Sequence, residues 1–105
     1  MNIATREILL GFWKVHILHH ASEEPIHGQW VLTELRRHGY EISPGTLYPL
    51  LHRLRRKRWV NARLTKVGGR ERRYYCITPA GRRALAGLRR DWQHLLDCLE
   101  AILRP

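Results

Sequence analysis

The sequence has few acidic residues, few cysteines and no long apolar run, and each shortage excludes a class of protein. Only 9 residues are Asp or Glu, against 19 Lys and Arg. The acidic residues are scattered, so no paired carboxylates suited to general acid–base catalysis are evident. No nucleophile–base arrangement or glycine-rich phosphate loop accompanies them. We therefore expect that the protein is not an enzyme and that it uses no cofactor.

The two cysteines and the apolar N-terminus also argue against an exported protein. Cys76 and Cys98 lie in apolar surroundings without CxxC spacing, which predicts buried, reduced thiols. The N-terminal run falls short of the roughly 18 uncharged apolar residues of a membrane span, because Arg6, Glu7 and Lys14 interrupt it. No small-residue cleavage site follows, so we do not interpret this run as a signal peptide. The expectation is a cytoplasmic protein with no membrane partner.

The excess of positive charge is the main compositional signal. The formal net charge is +10 at pH 7 and the sequence pI is about 10.8, in a chain of 105 residues. So large an excess predicts a polyanionic partner. A chain of this length forms one domain with a modest core, and such small domains often gain stability from a partner chain.

Apolar spacing predicts two helices in the first part of the chain. The run from about Thr5 to His20 is apolar over much of its circumference, so this helix is either central to the domain or buried against another chain. Pro25 then interrupts the pattern. A second, shorter helix is predicted from about His27 to His38, with Gly39 placed to end it.

The stretch "SPGTLYPLLHRLRR" predicts a third helix with two different faces. Its apolar face, at positions i, i+3, i+4 and i+7, consists of Leu47, Leu50, Leu51 and Leu54. The start of this helix has two interpretations. Either Ser43 is the cap and the helix contains Pro49 and kinks there, or Thr46 is the cap and Pro49 lies in the first turn.

After Trp59 the apolar period changes from helical to alternating. "VNARLTKV" and "RERRYYCI" predict two strands, and Gly68-Gly69 between them predicts the turn of a hairpin with a basic tip. Thr78-Pro79 then resembles a helix cap followed by proline at the first helical position, so a last helix is predicted from there to about Leu103.

This order of elements predicts a mainly α fold with a small β-hairpin. Three helices followed by a basic hairpin are the layout of a winged helix-turn-helix, assigned here to residues 1–78. Helix three would lie in the major groove of DNA while the hairpin, or wing, contacts the backbone. Small residues at the start of helix three would admit a phosphate to its N-terminus. The predicted DNA-binding residues are Ser43, Gly45, Thr46, Tyr48, His52, Arg55, Arg56, Arg70, Arg72 and Arg73.

Three motifs, "HGQWVLTEL", "SPGTLYPLLHRL" and "GGRERRYYCITPAGRRAL", resemble the PadR family of bacterial transcriptional regulators, in particular its short members. The resemblance covers roughly residues 16–99. It implies a dimeric winged-helix repressor that binds a pseudo-palindromic operator. In that family the third helix and the wing bind DNA, and the first and last helices form the dimer. Arg58 departs from the pattern, since the family commonly has glycine there as a left-handed helix cap.

The last helix, residues 79–105, is therefore interpreted as a dimerisation helix. Its apolar positions recur at alternating spacings of three and four, a heptad pattern. The predicted dimer interface consists of Leu9, Phe12 and Trp13 on the first helix and Leu85, Leu88, Trp92, Leu95, Leu99 and Ile102 on the last. Some relatives use a tryptophan on this helix to bind flat aromatic effectors at the dimer centre. By that resemblance, Trp92 is the candidate residue for binding an aromatic small molecule.

Two alternatives remain open, and the first is a regulator that responds to a metal ion. His16, His19 and His20 have helical spacing, with His27 not far along the chain, and imidazoles so placed can share an ion. His94 and Cys98 form a second candidate pair. Polar helix ends explain the same residues without a metal, so the main interpretation assigns no metal ligand.

The second alternative is a winged-helix interaction module that binds RNA or an acidic protein through its basic face. Sequence-specific readers of RNA mostly display stacking aromatic side chains on a sheet or loop. A recognition helix followed by a basic wing favours duplex DNA instead.

Overall fold

The computed structural model describes the backbone of residues 3–105 and the side chains of residues 5–105, so the first two residues of the predicted 1–78 domain lie outside it. Within this range the elements are α1 (Ile3–Glu23), β1 (Ile26–His27), α2 (Gly28–Arg37), α3 (Pro44–Arg56), β2 (Val60–Val67), β3 (Arg70–Ile77) and α4 (Pro79–Leu103). The predicted winged helix-turn-helix followed by a long helix is confirmed. None of the helices in this range is long and apolar enough to cross a membrane.

Helix α1 is central to the domain, as one of the two interpretations of its wide apolar face predicted. Trp13, Ile17 and Leu18 are at most 1% exposed, packed against the leucines of α2 and α3. The helix continues past the predicted end at His20 to Glu23. Ile8, near its other end, remains exposed. The core therefore buries Trp13, Ile17 and Leu18 fully, whereas Leu9, Leu10 and Phe12, nearer the N-terminus, are only partly buried against it.

Helix α3 begins after Ser43, and the alternative that made Thr46 the cap is wrong. Ser43 has extended backbone angles, and its carbonyl accepts hydrogen bonds from the amides of Thr46 and Leu47, both at 3.0 Å. Pro49 therefore lies inside the helix, where it cannot donate to the carbonyl of Gly45. The Ser43 side chain makes no capping hydrogen bond, contrary to the prediction. The predicted apolar face is fully buried: Leu47, Leu50, Leu51 and Leu54.

The end of α3 depends on a strained residue. Arg58 has a φ of 61°, the left-handed conformation that favours glycine and strains most other residues. Its amide donates to the carbonyl of Arg55 at 2.9 Å, and its own carbonyl accepts from the Thr78 hydroxyl at 2.6 Å. These hydrogen bonds hold the connection between α3 and β2 in place despite the cost of the left-handed backbone.

We expect the substitution Arg58→Gly to stabilise the protein by about 1 kcal/mol, since glycine adopts this conformation without steric cost. The measurement is the thermal midpoint, which should rise by roughly 4–8 °C. Arg58→Ala is the matched control, because it removes the same charge but keeps the steric cost. An equal rise in both variants would mean that the charge of Arg58, and not its backbone, is unfavourable.

The three strands form one antiparallel sheet in the order β1-β3-β2. Strands β2 and β3 pair from Val60 opposite Ile77 to Val67 opposite Arg70, so the predicted hairpin is confirmed in register and length. Gly68 and Gly69 both have positive φ, at 58° and 78°, as a type I′ turn requires. Strand β1 was not predicted, because two residues are too short to show an alternating pattern.

Helix α4 starts in the core and then leaves it. The Thr78 hydroxyl accepts a hydrogen bond from the amide of Gly81 at 2.9 Å, which confirms the predicted cap. Leu85 is 2% exposed, whereas from Leu95 onward the apolar side chains of the helix lie at the surface. The molecule is consequently elongated, with extents of 56 × 30 × 20 Å.

Burial corrects three of the sequence-based assignments. Trp13 and Leu85, predicted at the dimer interface, are 1% and 2% exposed inside the protomer, so a partner chain cannot reach them. They close the core between α1 and the first turns of α4.

The cysteines are free, but they are not buried as predicted, because Cys98 lies on the exposed half of α4 and Cys76 is half-buried on β3.

Candidate nucleic-acid interface

The face of α3 opposite its four leucines lies at the surface. Of the residues predicted to contact DNA on this helix, Thr46 is half-buried and the others are exposed: Ser43, Gly45, Tyr48, His52, Arg55 and Arg56. The wing arginines Arg70, Arg72 and Arg73 are exposed as well. A cavity of about 290 Å³ lies between the two groups, lined by Tyr48 on one side and by Arg72 and Arg73 on the other. The fold therefore brings the predicted helix and wing residues to one surface.

Tyr48 is held in place by a glycine of the preceding helix. A side-chain carbon added at Gly28 would lie 2.6 Å from the tyrosine Cε1 and 2.8 Å from its hydroxyl oxygen. The absence of a side chain at Gly28 thus lets the ring pack directly on the first turn of α2. Tyr48 nevertheless keeps 47% of its surface exposed. It is positioned by the core and available to a ligand at the same time.

An arginine side chain from α1 lies at the N-terminus of α3. The Thr46 hydroxyl oxygen lies 3.3 Å from an Arg6 guanidinium nitrogen and accepts from the Ser43 hydroxyl at 3.4 Å. Amide groups and the helix dipole already favour an anion at a helix N-terminus. Arg6 adds a full positive charge there. Sequence reasoning missed Arg6, since 40 positions separate it from Thr46.

Positive charge is concentrated in this part of the molecule. Residues 43–77 contain a single acidic residue, Glu71, and ten basic ones: Arg53, Arg55, Arg56, Lys57, Arg58, Arg63, Lys66, Arg70, Arg72 and Arg73. Burial lowers the pKa of Lys14 on α1, and the nearby charges of Arg53 and Lys57 lower it further. A field of this sign attracts a polyanion to α3 and the wing.

The wing arginines have different surroundings. Arg70 follows the Gly68-Gly69 turn at the tip of the hairpin. Arg72 lies further down β3, with a guanidinium nitrogen 3.5 Å from Nε2 of His27. Burial and the charge of Arg72 lower the pKa of His27, whose other ring nitrogen accepts the amide of Trp30 at 3.2 Å and caps α2. Arg70 is therefore the freer of the two to meet a phosphate.

Comparison with known proteins identifies the family. Residues 17–87 match the sequence model of the family described as "Transcriptional regulator PadR-like family". The chain belongs to this PadR-like family. It is also 49% identical, over 86% of its length and 84% of the relative's, to the transcriptional regulator Rv3488 of Mycobacterium tuberculosis. This PadR-like protein is thus a transcriptional regulator and not an enzyme, and its partner class is DNA.

Solved structures agree with this assignment. The PadR-family regulator of Eggerthella lenta superposes with a TM-score of 0.84 at 29% identity, covering 96% of this chain and 89% of that one. The PadR-like regulator of Bacillus cereus gives the same TM-score and identity, covering 94% and 98%. The fold of this PadR-like regulator, including the long last helix, is therefore that of its family.

The remaining residues of the predicted dimer interface are at least partly exposed on the protomer of the PadR-like regulator. Leu9, Phe12, Leu88 and Trp92 are half-buried, and the rings of Phe12 and Trp92 are 5.9 Å apart within the protomer. Apolar side chains exposed along α4 are Leu95, Leu96, Leu99, Ile102 and Leu103. Leu96 and Leu103 were not predicted, because they fall outside the strict three-and-four spacing.

The histidines are distributed differently from the sequence-based grouping. His27 caps α2 beside the wing and is not among the described residues that cluster with His16 and His20. His94 and Cys98 are in contact, with Nε2 and Sγ 3.8 Å apart, on the exposed part of α4.

Proposed function

We propose that this PadR-like regulator is a dimeric repressor that binds a pseudo-palindromic duplex operator. The observation that carries the proposal is the single basic surface formed by the outer face of α3 and the wing. An α-helix fits the DNA major groove, which is about 12 Å wide. Tyr48, His52 and Arg56 would then face base edges, while Arg70 contacts the backbone beside them.

The dimer is inferred from the apolar surface of α4. Five large apolar residues of one helix are exposed together on the protomer, and a contiguous apolar patch of this kind marks an association surface. A second copy would cover it with the same residues, as two-fold symmetry requires. Two recognition helices related by that axis would meet half-sites about one DNA turn, or roughly 34 Å, apart.

We also propose that a flat aromatic small molecule releases the repressor from DNA by binding beside Trp92. The ring of Trp92 is half-buried against Phe12, which leaves part of its surface available for stacking. A side-chain carbon at Gly11 would lie 3.8 Å from this ring, so α1 presents a small residue at the same place. Loss of operator binding in fluorescence anisotropy when such compounds are added would measure this release.

The decisive experiment is selection of duplexes from a random library, followed by fluorescence anisotropy on the enriched duplex and on a scrambled one. Specific binding should survive an increase from about 50 to 200 mM salt on the enriched duplex only. Equal, salt-sensitive binding to both would mean that the basic surface is only electrostatic. Preference for single-stranded RNA would favour the interaction module instead.

Substitutions on the helix and the wing should have different effects in this assay. Tyr48→Ala should narrow the free-energy gap between operator and scrambled DNA by about 1–3 kcal/mol, because a base contact carries sequence information. Arg70→Ala should weaken binding to both duplexes alike and reduce the salt slope by about one.

The control for both substitutions is Arg104→Ala, since Arg104 is exposed just beyond the C-terminal end of α4. It should leave the free-energy gap unchanged, unlike Tyr48→Ala, and should change the salt slope by less than Arg70→Ala does. An unchanged gap in Tyr48→Ala would show that α3 is not the reading element.

A further inference from the structure

A cluster of histidines and a carboxylate joins α1 to α2. Each helix contributes two residues four positions apart, which places them on one helical face. Helix α1 contributes His16 and His20, while α2 contributes Glu34 and, at its C-cap, His38. Spacing along the chain groups the first two with His19 and His27 and gives no indication of the pair from α2.

The potential ligand atoms of this cluster are close together. One ligand atom from each of His16, His20 and Glu34 lies within 4.8 Å of the others. The Nε2 atoms of His16 and His20 are 2.9 Å apart. His38 lies at the edge of the group, with its Nε2 3.3 Å from a Glu34 oxygen and its ring centre 5.3 Å from that of His16.

The protonation states suit metal binding. Burial lowers the pKa values of both His16 and His20; the neighbouring ring of His20 lowers that of His16 further, and the ring of His19 lowers that of His20. Both shifts favour the neutral form of the imidazole. The hydrogen bond from Arg37 is the main cause that lowers the pKa of Glu34 to about 2, so this carboxylate is ionised. Neutral imidazole and ionised carboxylate are the forms that bind a metal ion.

We propose that His16, His20 and Glu34, completed by His38, form a binding site for a divalent transition-metal ion of the zinc class. Three imidazoles and one carboxylate are a common tetrahedral ligand set for such ions. Two nitrogens bound to a tetrahedral ion at about 2.0–2.1 Å lie roughly 3.3 Å apart. The two imidazoles would need to separate by only a few tenths of an ångström from their present spacing.

A second group of potential ligands, which also contains His20, is less suited to hold an ion. His19, His20 and Glu23 also bring their ligand atoms within 4.8 Å of one another. Those three residues belong to one helix, the Glu23 side chain is 59% exposed, and Arg89 contacts His19 at 3.0 Å. The cross-helix set is more enclosed, because the side chain of its carboxylate residue, Glu34, is only 16% exposed.

Arg37 is the main competitor for the ion within the cross-helix set. Its guanidinium donates to both oxygens of Glu34, at 2.7 and 3.2 Å. Metal binding would require at least one of these exposed hydrogen bonds to break, and exposed ion pairs contribute little to stability. The bound ion would then link α1 to the C-terminal end of α2, just before residues 39–43 lead into α3.

The test is titration of the metal-free protein with zinc(II) in competition with a chelator, together with the visible spectrum of its cobalt(II) complex. We expect one tight site per chain and the intense d–d absorption of four-coordinate cobalt. Neither measurement involves DNA, so their failure would leave the proposed repressor function untouched. Absence of tight binding, or a six-coordinate cobalt spectrum, would overturn the proposed site.

Paired variants distinguish the two histidine sets. His16→Gln should weaken zinc binding by at least about tenfold, because it removes a ligand of the proposed set only. His19→Gln is the matched control on the same helix and should leave the affinity nearly unchanged. A larger loss in His19→Gln than in His16→Gln would assign the ion to the exposed set and refute this site. Circular dichroism of the metal-free variants verifies that both are folded.

Discussion

Leu99→Asp is expected to make the protein monomeric in light scattering and to weaken operator binding by at least about 100-fold. The side chain is 47% exposed on the protomer, so its replacement leaves the core intact. In a symmetric dimer the same substitution occurs twice, and it places two unpaired carboxylates in an apolar interface. A monomer would bind each half-site separately and lose the gain in effective concentration that links the two.

Ala101→Asp is the matched control, because residues two positions apart lie about 200° apart around a helix. It adds the same charge to the opposite side of α4 and should leave the dimer intact. Leu95→Asp, on the same side as Leu99, should repeat the effect. If Leu95→Asp and Leu99→Asp both remain dimeric, the interface is not formed by this half of α4.

Gly81→Ala is expected to destabilise the fold by about 3 kcal/mol, at the upper end of the usual cost of adding a methyl group to a packed core. An added Cβ would lie 2.0 Å from the carbonyl oxygen of Trp59 and 2.8 Å from a side-chain carbon of Ile77. That carbonyl accepts the amide of Thr78 at 3.0 Å and cannot move without breaking this hydrogen bond. The thermal midpoint should fall by on the order of 10–20 °C.

Gly87→Ala, in the same helix, provides the control. Its added Cβ would meet only the guanidinium of Arg90, at 3.8 Å, which is ordinary contact. Alanine should therefore stabilise α4 by roughly 0.5–1 kcal/mol through its better helix propensity. If the two variants unfold at the same temperature, the close approach of α4 to Trp59 does not matter for stability.

Local patterns in the sequence determined most of the fold. Leu47, Leu50, Leu51 and Leu54 recur at helical spacing, and all four are buried as that spacing predicts. The Gly68-Gly69 turn between alternating strands fixed the register of the hairpin, because two consecutive positive φ angles permit few other residues. Thr78-Pro79 marked the start of α4 correctly. Each of these signals acts within one element, so no knowledge of its neighbours was needed.

The sequence also determined the class of function. The excess of positive charge and the order of three helices and a basic hairpin predicted a DNA-binding regulator, and the family assignment confirms a transcriptional regulator. Local patterns could not decide where α3 begins. Both Ser43 and Thr46 are acceptable caps, and the hydrogen bonds from Thr46 and Leu47 to Ser43 settled the choice.

Only the tertiary structure decided which residues of different elements meet. The contact of Arg6 with Thr46, the packing of Tyr48 on Gly28, and the approach of Glu34 to His16 and His20 all join positions far apart in the chain. The burial of Trp13 and Leu85 inside the protomer likewise depends on how separate elements pack together. Helical periodicity specifies which face of a helix is apolar, but not whether its own domain or a partner covers that face. That depends on how the helices pack against each other.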